Sequence, residues 1–533
     1  MTAISYKYME NKTVIWVLIS TMICIIIALG GVTFRTPDDY LISGIYAGYY
    51  GGGWNAILIP YIHFFWGAFA YAISLLCNCP IGWGAILLLL LNCTFINLHI
   101  SVDKQGNGII GHLIVCVLQI VIGGLYLTYT IVAYLLSGSS IMLLSLLDRG
   151  KTDSGYIRRF ANLGVVSGIL LRPQIISTVL LLLIPSIRKN KNKRSLIAIL
   201  LVTLLLIASN EIMYFYNPIW REYKDWNNAC TMYRDYRINW DDLRMSGKLE
   251  NADLYENDIE MIVNWDYADN NFFDLETLRT VANAVPIRSR YKIDLMKLVS
   301  DYLNDKIIIS VIFFSLLCIG ICLRKETTIN VLFSLVMTSL LIMALYVRKR
   351  YVDRVYIRIY IIGLFQILFG VDFAGRRWKK SACIVFMSLC LLWGGKESLR
   401  ERIDEMELQP NIELYNYIHN NKMTFVVNSS VANNIWQNKA IIKLNQEDYP
   451  VNMIKTGSWD TFSGRYYYIA KNNNISPDSL FMDLTNYSTI ALITNDEIEA
   501  ERINTFIKDH YNYSATYEMI EFNNDFNVYR YSK

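Results

Sequence analysis

Residues 13–33 read TVIWVLISTMICIIIALGGVT, 21 consecutive positions without a charged side chain. A helix needs about 20 mainly apolar residues to cross the ~30 Å hydrocarbon core of a bilayer. The run is longer than the apolar core of a cleaved signal peptide, and no small-x-small cleavage site follows it. It is therefore read as an uncleaved first span. Working outward from it, similar runs occupy 55–77, 83–100, 109–126, 128–147, 160–186, 195–212, 306–323, 328–347, 352–372 and 380–395. That makes about eleven spans.

Composition agrees with a polytopic α-helical membrane protein. Of 533 residues, 53% are hydrophobic and 18% charged, where a soluble chain carries about 25% charged residues. A net charge of +4 is too small to suggest a nucleic-acid partner. Nine of the ten cysteines lie in or at the end of apolar runs, and Cys230 has no obvious partner in its polar segment. Neither a disulfide framework nor a zinc site follows. His63, His99, His112, His419 and His510 are scattered and read as packed or surface residues.

Basic loops set the orientation. With the N-terminus inside, the clusters at 188–194, 323–325 and 376–380 all fall on the cytoplasmic side, as the positive-inside rule requires. Arg348-Lys349-Arg350, with Arg354 and Arg358, falls on the outer side instead. Three extracytoplasmic segments result: 34–54, 213–305 and a tail at 397–533. The chain thus divides into a transmembrane module, 1–396, and a small soluble α/β domain, 397–533. In the tail, 424–428 and 489–494 look like buried strands, Asp496 suits the N-cap of a helix at 497–510, and 513–531 alternates like a hairpin.

The first outer loop carries the chemistry: Phe34-Arg35-Thr36-Pro37-Asp38-Asp39-Tyr40-Leu41-Ile42-Ser43-Gly44, then Tyr46-Ala47-Gly48. Adjacent carboxylates just outside a span, flanked by Arg35 and Tyr40, suit a general base, since like charge and partial burial raise one pKa towards neutrality. They also suit a divalent cation such as magnesium or manganese. The structural alternative is that Pro37-Asp38-Asp39 caps a short helix. Arg350, Arg354 and Arg358 share one helical face, suited to a phosphate, with snorkelling to head groups as the alternative. Arg172, next to Pro173 inside a span, should face the bundle interior and meet a carboxylate or a substrate. The long outer segment, with Trp220, Trp226, Trp240-Asp241-Asp242 and Asn264-Trp265, suits a saccharide-binding cover or an interfacial aromatic belt.

This layout resembles the GT-C superfamily of integral-membrane glycosyltransferases. The segments Pro37-Asp38-Asp39-Tyr40…Ser43-Gly44…Tyr46-Ala47-Gly48 and Glu256-Asn257-Asp258-Ile259…Asn264-Trp265 also resemble a group of Gram-positive membrane proteins. The resemblance implies a polyprenyl-phosphate-linked sugar as donor and a glycan or glycolipid as acceptor. It implies inversion at the sugar, with Asp38 or Asp39, Asp39 by preference, as general base. Arg35, Tyr40, Arg172 and the Arg350 face would serve the lipid phosphate. Low charge with frequent Asn, Ile, Lys and Tyr suggests an AT-rich bacterial genome, and the resemblance implies a bacterial plasma membrane. An outer-leaflet polysaccharide polymerase or ligase, and a transporter or flippase of lipid-linked sugars, are the alternatives.

Overall fold

A computed structural model describes residues 3–106, 108–147, 155–184, 187, 193–234, 240–245, 247, 249, 254–284, 325–347, 358–359, 361–363, 365, 412–433, 439–522 and 526–533. The expected spans at 306–323 and 380–395, the boundary at 396/397, Arg350 and Arg354 lie outside these residues.

The first half is a helical bundle: α1 (Ala3–Leu29), α2 (Pro37–Tyr46), α3 (Phe64–Cys77), α4 (Gly82–Gln105), α5 (Gly108–Leu125), α6 (Tyr129–Leu147), α7 (Gly155–Leu171), α8 (Ile176–Leu182) and α9 (Lys193–Phe215). Among the described residues three helices are long and apolar enough to cross a membrane: α4, α6 and residues 197–215 of α9. The α7–α8 pair, bent by 110°, would make a fourth. Helix α6 is buried along almost its whole length. Helix α7 approaches it closely because Gly164 and Gly168 face Ser140 and Ser137, and a Cβ at either glycine would collide with a serine hydroxyl. Small residues permit this approach where lipid supplies no hydrophobic drive between helices. The outer helices expose large apolar side chains, Leu18 at 59%, Ile26 at 63% and Leu205 at 71%. So extensive an apolar surface belongs in hydrocarbon. The chain is a membrane protein.

Polar side chains join α1, α4 and α5. Thr13 Oγ1 donates to Asp103 Oδ2 (2.7 Å), and His112 Nε2 lies 2.9 Å from Asp103 Oδ1. That contact places the His112 proton on Nε2 and leaves Nδ1 as an acceptor, so His99 Nδ1, 3.0 Å away, is the donor. Trp16 stacks on the His112 ring at 4.3 Å. The two histidines that look scattered in sequence are one buried hydrogen-bonded pair. Replacing His112 by Ala leaves the buried His99 Nδ1 without its acceptor and takes one donor from the half-buried Asp103, which costs about 1–3 kcal/mol. A thermal melt of the purified variant in detergent should show the loss, and an unchanged melting temperature would refute it.

Contacts fix the direction of each helix. Trp83, at the start of α4, bonds to Asp39 in α2, while Asp103, near its end, meets Thr13 early in α1. The α2 end and the far end are thereby defined. Two expected spans differ from the structure. Helix α3 has 14 residues, about 21 Å of rise, too short to cross. It stays at the α2 end: Gly67 packs on Tyr46 and Ile57, Gly48 packs on Tyr71, and Gly82 N donates to Ser74 Oγ. The run at 160–186 breaks at Arg172-Pro173, because proline removes a helical donor and its ring clashes with the preceding turn. Hydropathy reports apolarity, not direction, so it registers neither event. At the end of α9, Asn210 Oδ1 accepts from Phe64 N, and Trp220 Nε1 donates to Asn55 Oδ1. The segment that follows α9 therefore starts at the α2 end.

That segment forms α10 (Pro218–Arg234), α11 (Trp240–Met245), α12 (Glu256–Val263) and α13 (Leu275–Ala284), and α14 (Lys325–Val347) follows. The C-terminal region adds α15 (Ile412–Asn420), β1 (Thr424–Val427), α16 (Ser429–Asn433), β2 (Met453–Lys455), α17 (Gly464–Asn472), α18 (Leu480–Asn486), β3 (Ile490–Thr494), α19 (Glu497–Tyr511), β4 (Thr516–Phe522) and β5 (Asn527–Ser532). The strands form one sheet in the order β2-β1-β3-β5-β4. β1 is parallel to β2 and β3, and β5 is antiparallel to β3 and β4. Strands β1 and β3 coincide with the two apolar runs read from sequence, and Asp496 caps α19 by accepting from Glu499 N. Strand β2, three residues long, has no period that sequence can show.

Candidate active site

Helix α2 is built for its position. Thr36, with extended backbone, is the N-cap, and Pro37 follows at the first helical position, where its missing N–H costs nothing. Thr36 Oγ1 accepts from Asp39 N (3.3 Å) and donates to Asp39 Oδ2 (2.8 Å). The other carboxylate oxygen, Oδ1, accepts from Trp83 Nε1 (3.1 Å) in α4 and from Tyr129 N (3.3 Å) in α6. Asp39 is fully buried. Burial pushes its carboxyl up to about 7 against the pull of the Thr36 and Trp83 hydrogen bonds. It pins α2 to two bundle helices.

Asp38 is half-buried. Its charge acts on Lys455 at the end of β2, whose ammonium is held below the usual lysine range by burial while Asp460 and Asp38 oppose the shift. Beside them Arg465 pairs with Asp460 at 2.5 Å and lies 4.4 Å over the Tyr50 ring. The C-terminal region roofs the loop further. Tyr40 donates its hydroxyl to Asp448 O and stacks on Tyr449 at 4.6 Å, and Ile441 N donates to Val32 O (2.9 Å). The Tyr449 ring sits where a Cβ on Gly44 would be. Gly44→Ala should accordingly lift the roof at a cost of about 1–3 kcal/mol. Faster limited proteolysis of residues 440–470 would show it, and wild-type resistance would refute it.

Arg172 closes the site from the bundle side. The break at Pro173 frees it from α7, and Nη1 donates to Tyr129 Oη and to Thr130 Oγ1 (2.8 Å). Tyr129 thus bridges Asp39, through its backbone N–H, and Arg172, through its phenol. Trp83 and Tyr46 pack alongside, ring centroids 6.3 Å from Tyr129 to Trp83 and 5.3 Å from Trp83 to Tyr46. The buried Tyr46 hydroxyl has no hydrogen-bond partner among the described residues. Arg35 is half-buried beside Leu127, to whose carbonyl its backbone donates. Arg358 is buried, its guanidinium 4.3 Å over Tyr134 on α6. Among the described residues no three His, Cys, Asp or Glu side chains come together to hold a metal ion. Asp39 spends both oxygens on protein donors.

Sequence reasoning missed Trp83, Tyr129, Lys455 and Arg465. Only Trp83 left a trace, as a lone indole between Gly82 and Gly84. For Trp220 and Trp226 neither sequence reading holds: both are buried, Trp220 on Asn55 and Trp226 donating to Phe273 O (3.3 Å). Their segment is welded to the C-terminal sheet. Asp266 faces Glu499 of α19, with Asn428 Nδ2 donating to both (3.3 and 2.6 Å) and Arg502 at 3.4 Å. Burial and mutual repulsion raise Asp266 well above the ordinary carboxyl range, and burial raises Glu499. The preceding Trp265 takes a left-handed φ of 66°. Asp269 accepts from Tyr511 (2.9 Å), and burial lifts it to about 7.

No protein-family profile matches the sequence, and no curated protein matches it. Among solved structures, the chain is similar to ArnT from Cupriavidus metallidurans in the apo state, at TM-score 0.41 and 10% identity over 98% of each chain. It is similar also to that protein bound to undecaprenyl phosphate, at TM-score 0.39 and 10% identity over 98% of each chain. Likeness of this degree carries no argument about activity.

Proposed function

We propose that the chain is a GT-C-like membrane glycosyltransferase that moves a sugar from a polyprenyl-phosphate donor to a cell-surface glycan or lipid. One observation supports this reading above the others. The first-loop carboxylates stand at one end of the bundle, linked through Tyr129 to Arg172 on a broken helix and roofed by Lys455 and Arg465. In this reading the α2 end faces the outside of a bacterial plasma membrane and the N-terminus the cytoplasm.

The half-exposed Asp38 is the general base, and the buried Asp39 positions α2 beneath it. Asp38 takes the proton of an acceptor hydroxyl while that oxygen bonds to the anomeric carbon. The bond from that carbon to the phosphate oxygen breaks, and polyprenyl phosphate leaves with the electron pair. Attack opposite the leaving group inverts the configuration. Arg172, whose guanidinium has further donors beyond those given to Tyr129 and Thr130, meets the phosphate charge, with Arg350, Arg354 and Arg358 as further cations.

The test is to express Asp38→Asn and Asp39→Asn variants at normal level and analyse surface glycans. Loss in Asp38→Asn supports the reading, and unchanged glycans in both remove it. The bent α7–α8 pair favours a flippase as the second reading, because transporters place broken helices at the substrate site. Such folds carry the break in both repeats, and among the described residues there is one bent pair.

A further inference from the structure

Residues 439–444 read Lys-Ala-Ile-Ile-Lys-Leu, and Ile441–Lys443 form a single 3₁₀ turn. Two neighbours fix the depth of that turn. Ala440 pairs with Thr33 in an antiparallel bridge, and Ile441 N donates to Val32 O (2.9 Å). Val32 follows shortly after Leu29, the last residue of α1, which is 70% exposed. On the other side, the Ile441 side chain occupies the place of a Cβ on Gly84, the third residue of the spanning helix α4. The lipid-facing Leu89, 59% exposed, lies further on, about 8 Å along that helix. Helix α4 has 24 residues, about 36 Å of rise against about 30 Å of hydrocarbon. Its first turn therefore marks the edge of the hydrocarbon, and the 440–443 segment sits at that edge.

Successive residues of a 3₁₀ helix point about 120° apart. With Ile441 turned into the bundle, the exposed Ile442 (39%) and Lys443 are directed away from it. Lys439 pairs with Asp448 at 2.5 Å, so its charge is spent. Lys443 makes no ion pair among the described residues. A single exposed isoleucine on a soluble surface needs no explanation. Here it stands where the lipid-facing surfaces of α1 and α4 end, and acyl chains begin at that level.

We propose that this turn anchors the C-terminal region to the bilayer interface. Ile442 dips into the acyl chains of the leaflet at the α2 end. Lys443 reaches back to the lipid phosphates, as long basic side chains do beside the ends of spans. By holding 440–443 down, the bilayer keeps Tyr449 on Gly44 and the roof closed over the first loop. The assignment rests on the membrane character of the chain and not on the transferase reading.

The test uses the full chain in nanodiscs of phosphatidylcholine and phosphatidylglycerol in equal parts. A photoreactive diazirine side chain is placed at 442 or, as a control, at 487. Tyr487 is similarly exposed, at 45%, but precedes β3 at the end of the parallel strands opposite Lys455, away from the first loop. Illumination should give lipid adducts, read by mass spectrometry, at 442 and not at 487. Ile442→Asp should speed limited proteolysis of residues 440–470 in the nanodisc about ten-fold, the equivalent of one isoleucine taken from an apolar phase. Lys443→Glu should act in the same direction through repulsion from the phosphates. Both positions are exposed, so each variant should keep the wild-type melting temperature in detergent. Absence of lipid adducts at 442, or equal yields at the two positions, overturns the anchor. Wild-type resistance of Ile442→Asp to the protease overturns its hold on the roof.

Discussion

Asp38→Asn should lower sugar transfer by about 10²- to 10⁴-fold, the usual contribution of a general base, and leave the melting temperature near wild type. Asp38 is half-buried at the second position of α2, and an amide there keeps the shape of the side chain while removing its charge from the neighbourhood of Lys455. Asp39→Asn should do the reverse. Its side chain accepts from Thr36, Trp83 and Tyr129. An amide that keeps its oxygen on Trp83 and Tyr129 turns its nitrogen to Thr36, whose hydroxyl must reverse and accept, so a buried hydrogen bond is remade at a cost of about 1 kcal/mol. The prediction is therefore a crossed pattern: activity lost with stability kept in one variant, stability lost first in the other. Transfer assays in detergent and thermal melts on the same preparations measure both. If Asp39→Asn melts like wild type and abolishes transfer, the roles of the two aspartates are exchanged.

The second large effect is a loss of stability in mild alkali. Asp39 and Asp269 are both raised to about 7 by burial, whereas an unfolded aspartate titrates near 3.9. Each is therefore protonated in the folded chain at pH values where the unfolded chain has lost the proton. Their favourable contribution is complete below about pH 4 and fades as pH rises through about 7. The upper bound is about 4 kcal/mol for each carboxyl. Asp266 and Glu499 move in the same direction, so the weld between residues 254–284 and the C-terminal sheet should loosen first. Melting temperatures at pH 5 and pH 8 should differ by many degrees, with the lower value at pH 8. Asp269→Asn should flatten part of that slope. A profile level between pH 5 and 8 would contradict the burial of these groups.

Much of the architecture is legible in local sequence. Thr36-Pro37-Asp38-Asp39 states an N-cap, a first-position proline and two acidic residues, and α2 begins there. The apolar runs at 424–428 and 489–494 become β1 and β3, since a buried parallel strand is apolar on both faces. Asp496 announces α19. The places where local reading failed share one cause. Phe64–Cys77 is as apolar as a span, yet the turn into Gly82 folds it back on its own end of the bundle. His99 and His112 are 13 positions apart in sequence and 3.0 Å apart in space.

By itself the sequence determined the membrane character, strands β1 and β3 and the cap of α19, and the presence of an Asp-Asp pair after the first span. Each is a property of neighbouring residues: apolar length, period, and the hydrogen-bonding reach of a cap. Only the tertiary structure decided which carboxylate is buried and which faces the roof. It alone brought Tyr129 between Asp39 and Arg172, and Lys455 over the first loop. Those relations join residues 43 to more than 400 positions apart. No periodicity or spacing can encode them, because burial and electrostatic coupling depend on what packs opposite a side chain and not on what precedes it in the chain.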